Sequence, residues 1–355
     1  MFRSNVSFIV EELLQDGMLL EERPLHSGRG RVPTHLRLND DAYPVLGVYI
    51  QPSRVRVVHA GLQGRLKQRW LFDMVQEPGY FVLTLGRVIE KIRQELGINH
   101  FKRLGIAFPG FVNAETGQII WSPELTQFSG YSLGEQVERH TGISTRVDND
   151  SNLGALSELR FMESEQPRLP LNFVFLSIGD SGVGSGTVFD GKLYRGHDFS
   201  FASEFGHMVI DPKGEECKCG RRGCLEQYVS NRAVWKRYRP QESFERQRFL
   251  EFVWNARDGK PDAAKVLLKC GSLLSVGISN IIFALNPKML IVAGEITEAW
   301  DIIRTPIESA IQLTKSKTEV RRARSVGELS LLQGSVCLVL NDVFALTTLG
   351  ERIEG

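Results

Sequence analysis

One short stretch limits what this chain can fold into more than any other. Glu204-Phe-Gly-His207 is followed by Cys217-Lys-Cys219-Gly-Arg-Arg-Gly-Cys224-Leu-Glu226, so one imidazole and three thiols fall within the 18 residues 207–224. Gly206, Gly214, Gly220 and Gly223 let the backbone turn tightly around a small centre. One His and three thiolates are a donor set that tetrahedral zinc takes in a closed structural site. Cys217 and Cys219 stand one residue apart, which suits two thiolates on one ion better than a bridge between them. A disulfide pair, or unrelated thiols packed in a core, are the alternatives. The reading is Zn2+ held by His207, Cys217, Cys219 and Cys224. Glu204 and Glu226 crowd the same element, and two carboxylates beside a metal-bound imidazole make a poor core and a good hydroxyl-binding wall.

Composition sets the frame around this centre. A chain of 355 residues with 42% hydrophobic content can bury a large core, divided between two lobes with an appendage. A net charge of +1 argues against a protein that coats nucleic acid through general basicity. No apolar run reaches the ~18 residues expected of a membrane span, and the N-terminus lacks a basic-then-apolar export signal. Five cysteines, three of them in the stretch just described, fit a reducing cytoplasm. Cys270 and Cys337 lie in apolar helical patterns and read as buried thiols.

The pattern along the chain is α/β. In residues 1–40, Val6, Ile9, Val10, Leu13 and Leu14 recur at helical spacing over 3–16, with Gly17 as a stop. The polar face near the start of this helix carries Arg3, Ser4, Asn5 and Ser7. A turn at Pro24, the run Ser27-Gly-Arg29-Gly-Arg31-Val-Pro33 and an alternating strand through Leu36 and Leu38 follow. Helix, hairpin and an arginine-glycine tip are how a winged helix-turn-helix ends. In such a module the helix meets base edges and the arginines can enter a narrow minor groove. A full helix-turn-helix needs two more helices before the recognition helix, and a lone helix of this length buries too little to hold its register on DNA. The expectation is a partial reader: either translation starts upstream of Met1 or the front of the module is lost. A surface helix and hairpin without a DNA role is the alternative.

Paired strands over Leu46–Ile50 and Val55–Ala60, a helix near 79–96, and strands at Leu104–Phe108 and Phe173–Ile178 continue the α/β order. Val147-Asp-Asn149-Asp150-Ser-Asn152 ends a strand and opens a helix, which places a carboxylate where a polar ligand reaches it. Helix capping is the plainer role for such an Asp. The polar, proline-bearing run Glu163–Pro170 suits a lobe boundary, giving lobes over 45–165 and 170–355.

His207 with Cys-x-Cys-Gly-x-x-Gly-Cys-x-Glu resembles the zinc motif of the ROK family (repressors, open reading frames, kinases), and residues 45–155 resemble the first lobe of the sugar-kinase, actin-like fold. The resemblance implies a two-lobed actin-like (ribonuclease H-like) α/β body, a sugar or sugar-phosphate effector between the lobes, a winged helix for a DNA operator, and a homodimer or tetramer in the cytoplasm. Onto this sequence it carries Gly110, Asn149, Asp150, Glu204, His207 and Glu226 as sugar contacts, with Asp150 as the base in a kinase. Pro123-Glu124 departs from the family's Pro-Asn, and that acid accepts hydroxyl protons without donating.

The nucleotide side departs further. In place of Asp-x-Gly-x-Thr stands Tyr49-Ile-Gln51-Pro52-Ser53, without the metal-placing carboxylate and with a proline that removes an N–H donor. Gly182, Gly184 and Gly186 remain of a second phosphate loop, but Asp180 brings negative charge towards it. Gly294-Glu295 replaces a Gly-Gly pair. These residues point to a sugar-responsive regulator of the repressor type whose kinase activity is lost. A hexose or N-acetylhexosamine kinase, and a sugar-binding remnant without DNA binding, are the alternatives.

Overall fold

The computed structural model describes residues 3–22, 35–165, 172–199, 202–325 and 328–349. Helix α1 (Arg3–Gln15) stops before Gly17, whose φ is +70°. Strand β1 (Leu19–Glu22) then pairs antiparallel with β2 (His35–Leu38), Leu19 facing Leu38. The wing tip expected at 27–33, with Arg29 and Arg31, lies outside the described residues.

The first lobe begins with an antiparallel meander of β3 (Val45–Ile50), β4 (Arg54–Ala60) and β5 (Leu66–Asp73). Helix α2 (Pro78–Leu96) follows, with proline in its first turn and the Glu77 carboxylate capping the N–H of Gly79. Then come β6 (Arg103–Phe108), the small hairpin β7 (Phe111–Asn113) and β8 (Gln118–Trp121), α3 (Leu133–Thr141), β9 (Thr145–Asn149) and α4 (Asp150–Glu165). The second lobe repeats the plan. Its meander is β10 (Phe173–Ile178), β11 (Val183–Phe189) and β12 (Lys192–Tyr194). Short α5 (Glu226–Val229), then α6 (Asn231–Tyr238), α7 (Arg246–Arg257) and α8 (Pro261–Leu285), lead to β13 (Met289–Ala293). Helix α9 (Trp300–Thr314), β14 (Glu319–Arg322) and α10 (Leu329–Leu349) complete it.

The strand orders, β5-β4-β3-β6-β9 and β12-β11-β10-β13-β14, are the same topology twice. In each, the fourth and fifth strands run parallel to the first, so the central strand is covered on both faces and reads as an unbroken apolar run. Val45–Ile50 is buried throughout.

Three apolar cores follow from this plan. One packs α2 and α3 on the outer face of the first sheet, around Phe81, Phe108 and Phe128. Another packs α5 to α9 on the outer face of the second, around Phe249, Leu274 and Ile303. The third lies between the sheets and is built by α4 and α10, through Leu153, Leu156, Leu159, Leu332, Val336 and Val339. These two helices are exchanged. Helix α4 leaves the first sheet and packs on β10 and β11 of the second, while α10 leaves the second and packs on β3 and β6 of the first. They cross where Gly334 meets α4: a side-chain carbon at Gly334 would stand 1.9 Å from the carbonyl oxygen of Leu153, so the backbones touch only because it is glycine.

Helix α8 runs 25 residues with a largely apolar sequence. Over 18 of its residues the mean hydropathy is 1.8, long and apolar enough to cross a membrane by composition, but half of that window is buried inside the second lobe. It is built as a core helix, and its apolar length is accounted for by packing.

Candidate functional site

Between the lobes lies a cleft of about 450 Å³. Gly110, Asn149, Asp150, Glu204, His207 and Glu226, the six residues expected to meet a sugar, all line it. Asn149 ends β9 and Asp150 opens α4, so the strand-to-helix junction lies on the cleft wall. Asn149, and not Asp150, is the helix cap: its Oδ1 accepts from the N–H of Ser151 at 2.9 Å and of Asn152 at 3.1 Å. Its Nδ2 donates to the Gly110 carbonyl at 2.9 Å, which pins the turn after β6 to the helix start. Asn149 thus positions its neighbours and retains one N–H for a ligand.

Asp150 takes the Ser151 hydroxyl at 3.2 Å and is also bonded by the Ser151 backbone N–H. Burial pushes its carboxyl up to about 6. Glu204 sits at a tight turn after Ser203, whose φ is +60°, and the Ser185 hydroxyl accepts from the Phe205 N–H at 3.1 Å to hold that turn. Burial, then the charges of Asp150 and Glu226, raise Glu204 to about 8. One neighbouring carboxyl is therefore ionised near neutrality and the other protonated. Together they offer acceptors and a donor in one wall of the cleft, which is what sugar hydroxyls require.

The Cys/His loop closes the second-lobe side. One donor atom each from His207, Cys217, Cys219 and Cys224 lies within 4.8 Å of all the others, a cluster that could hold a metal ion. Cys217 Sγ is 3.5 Å from His207 Nδ1, and the Cys219 and Cys224 sulfurs are 3.6 Å apart. None of the three thiols is bridged, and Cys270 and Cys337 are buried alone in α8 and α10. Burial pushes Cys217 and Cys224 up. At Cys219 burial does the same, but hydrogen bonds from Arg221 outweigh it and bring the thiol down to about 7. The buried Glu226 carboxylate accepts from Cys217 at 3.0 Å and lies 3.7 Å from His207 Nδ1, linking the cluster to the cleft.

At the cleft's other end stand Tyr49, Gln51, Pro52, Asp180 and Glu295, the residues read as hostile to a nucleotide. Gly184 and Gly186 are not loop residues. They lie in β11, and a side-chain carbon at Gly184 would stand 2.0 Å from the Ser151 hydroxyl of α4. They are glycine to let α4 approach the sheet. Arg246, at the start of α7, pairs with both Glu295 and Glu328 and lies 3.9 Å from Asp180. Gln51 donates to Glu328 at 2.6 Å, and Arg56 pairs with the same acid.

This network is not legible in the sequence, and neither are two ion pairs that cross between lobes. Lys218 of the Cys/His loop pairs with Glu124, and Arg195 pairs at 2.8 Å with the buried Asp148, one residue before Asn149. Of the four residues in these two pairs, only Glu124 carried a signal, as a departure from the family pattern. Of the residues read for DNA contact, Arg3, Ser4, Asn5 and Ser7 share the first two turns of α1. Val6, Phe8 and Ile9 of that helix are exposed.

Two matched five-stranded lobes, exchanged helices and a cleft walled by a His/Cys loop define an actin-like α/β protein of the sugar-kinase type. The ROK family model matches residues 78–341, and the chain belongs to the ROK family. It is 24% identical over 378 residues to the xylose repressor of Caldicellulosiruptor bescii, covering 97% of this chain and 90% of that one. A glucokinase of Streptomyces coelicolor is 30% identical over 224 residues, covering 58% of this chain and 68% of the enzyme. Among solved structures, a ROK family transcriptional regulator, described as a homolog of the E. coli MLC protein, superposes with a TM-score of 0.77 at 24% identity, covering 96% of this chain and 91% of that chain.

Proposed function

We propose that the protein is a cytoplasmic, sugar-responsive transcriptional repressor that binds an unphosphorylated sugar between its lobes and does not use ATP. The observation that carries this reading is the contrast within one cleft. Asp150 and Glu204 face it without a basic partner among the described residues, whereas the end expected for phosphates is filled by Arg246 and its acids. The cations near the hydroxyl-binding wall are engaged, Lys218 with Glu124 and Arg195 with Asp148, which favours a neutral sugar over a sugar phosphate. The C. bescii relative, named a xylose repressor, makes D-xylose the first ligand to try.

In this reading residues 1–40 form the DNA-facing segment, with Arg3, Ser4, Asn5 and Ser7 on its helix and Arg29 and Arg31 on its wing. Residues 45–165 and 170–355 are the lobes, and sugar binding shifts their closure in a homodimer or tetramer on an operator. The metal is zinc. Tetrahedral coordination at a Zn–S distance of about 2.3 Å places sulfurs roughly 3.8 Å apart, close to the 3.6 Å between Cys219 and Cys224. His207, Cys217, Cys219 and Cys224 would hold the ion, which fixes the loop carrying Lys218 and Glu226. The test is calorimetric titration with D-xylose, D-glucose and N-acetylglucosamine, beside a gel shift on the gene's upstream region with and without the sugar that binds. Sugar binding with no effect on DNA would leave a sugar-binding protein that is not a repressor.

One observation favours a second reading. A carboxyl raised to about 6 at the sugar wall is suited to take a proton from an attacking hydroxyl, so Asp150 could serve as the base of a hexose or N-acetylhexosamine kinase. Coupled ADP release across the same sugars, abolished in Asp150→Asn, would establish it.

A further inference from the structure

The charged cluster at the far end of the cleft is built from both lobes. Asp180 follows β10, Glu295 follows β13 and Arg246 opens α7, all in the second lobe. Gln51 and Arg56 belong to the β3–β4 hairpin of the first. Glu328 stands at the foot of α10, the helix that crosses onto the first lobe's sheet, and it serves both sides. Its carboxylate takes Gln51 Nε2 at 2.6 Å and Arg56 from one lobe, and Arg246 from the other. Arg246 also grips Glu295, and the Asn231 amide ties Asp180 at 2.9 Å to Glu295 at 3.0 Å.

The environment makes these pairs count. The Glu295 and Glu328 side chains are only 7% and 14% exposed, so the attraction acts with little screening by water. The balance is also one-sided, with the acids Asp180, Glu295 and Glu328 set against the guanidiniums of Arg246 and Arg56. Without Arg246, the acids would face one another with a single remaining cation, and breaking a shielded pair on one side costs far more than the pair is worth intact.

We infer that Arg246 is an internal tie between the lobes: its guanidinium, held through Glu328, takes the bridging place that a metal-bound polyphosphate would need, so the cleft closes on its ligand without any nucleotide. For its ligand readout this rests on the sugar reading above. The tie itself is intramolecular and can be judged without it.

The experiment compares the full-length wild type with Arg246→Met, Arg246→Lys and Glu328→Gln. Small-angle scattering is recorded at low and high salt, alongside calorimetry with D-xylose and D-glucose, and bound metal is measured to verify the fold. In Arg246→Met the particle should expand and sugar affinity should fall about tenfold, equivalent to ~1.4 kcal/mol. Arg246→Lys keeps the charge but loses the fork and should lie between. The wild type should stay compact at high salt, because the pairs are shielded from solvent ions. An Arg246→Met protein as compact as wild type with unchanged affinity overturns the proposal, as does a wild type that compacts only on adding a magnesium-nucleotide. Should Arg246→Met fail to fold, the isosteric Glu328→Gln decides by the same readouts. If no sugar binds the wild type, the sugar reading fails, while the scattering difference still decides the tie.

Discussion

The two ends of the cleft use acidic side chains in opposite ways. At one end Asp150 and Glu204 are half-buried with hydroxyl and backbone neighbours, and desolvation drives both carboxyls up. At the other, Glu295 and Glu328 are as deeply set but converge on Arg246, whose own guanidinium, although burial works against it, is held above its usual range by Glu295, Glu328 and Asp180. The same residue type is thus kept unsatisfied where a neutral, hydroxylated ligand can complete it, and satisfied internally where no ligand is needed. In the proposed reading, the binding site is marked by unmet hydrogen-bonding capacity, and the end without a ligand by the protein having met that capacity itself.

This contrast can be broken or sharpened by experiment. The largest effect should come from the Cys/His loop, which carries the sugar end and leaves the other untouched. Cys219→Ser, or chelation, should remove one zinc per chain and lower the melting temperature by roughly 10 °C, since metal binding contributes to folding directly. Metal analysis with calorimetry checks both, and full metal content in Cys219→Ser would remove that thiol from the ligand set. Next, Asp150→Ala should weaken sugar binding by about 10- to 150-fold, the worth of a charge-assisted hydrogen bond, without lowering the melting temperature. Unchanged affinity would place the sugar elsewhere.

A smaller effect has a defined pH sign. The folded carboxyl of Asp150 titrates at about 6 against an ordinary 3.8, so folding favours its protonated form. Stability drawn from this group is present at low pH and is lost as pH rises across that window. Asp150→Asn should therefore leave the melting temperature unchanged near pH 4 and raise it by about 2–4 °C at pH 8, as ~1 kcal/mol does in larger domains. A rise at pH 4 as large as at pH 8 would mean that the carboxylate is not strained by burial. Last, magnesium with a non-hydrolysable ATP analogue should not shift melting at all. A bound ligand at a hundred times its Kd would add about 2.7 kcal/mol, so any such shift would reopen the kinase reading.

How much of this was legible in the sequence depended on distance along the chain. The Cys/His cluster could be read because its donors lie within 18 residues and its chemistry demands that residue set. Asn149-Asp150 was legible for the same local reason, although the division of labour, cap against free carboxylate, needed coordinates. The departures from the family's nucleotide pattern were visible at Tyr49, Pro52 and Glu295, because a missing group is visible wherever a pattern is expected. What replaced it was not. Arg246 reaches Glu295 49 positions away and Glu328 82 positions away, and Arg-Gln-Arg at the start of a helix looks like any solvated surface. The glycines at 184 and 186 misled for a related reason: glycine spacing looks alike whether phosphate or a crossing helix is what approaches.

The exchange of α4 and α10 has a consequence for how the molecule can be divided. The inner face of the first sheet is completed by a helix encoded near the C-terminus, and that of the second by a helix encoded before the connection at 165–172. A gene cut at that connection would therefore yield two products, each with an apolar sheet face uncovered and a stray helix seeking its place. Neither half should fold in isolation, and the pair should recover native structure only when synthesised in the same cell.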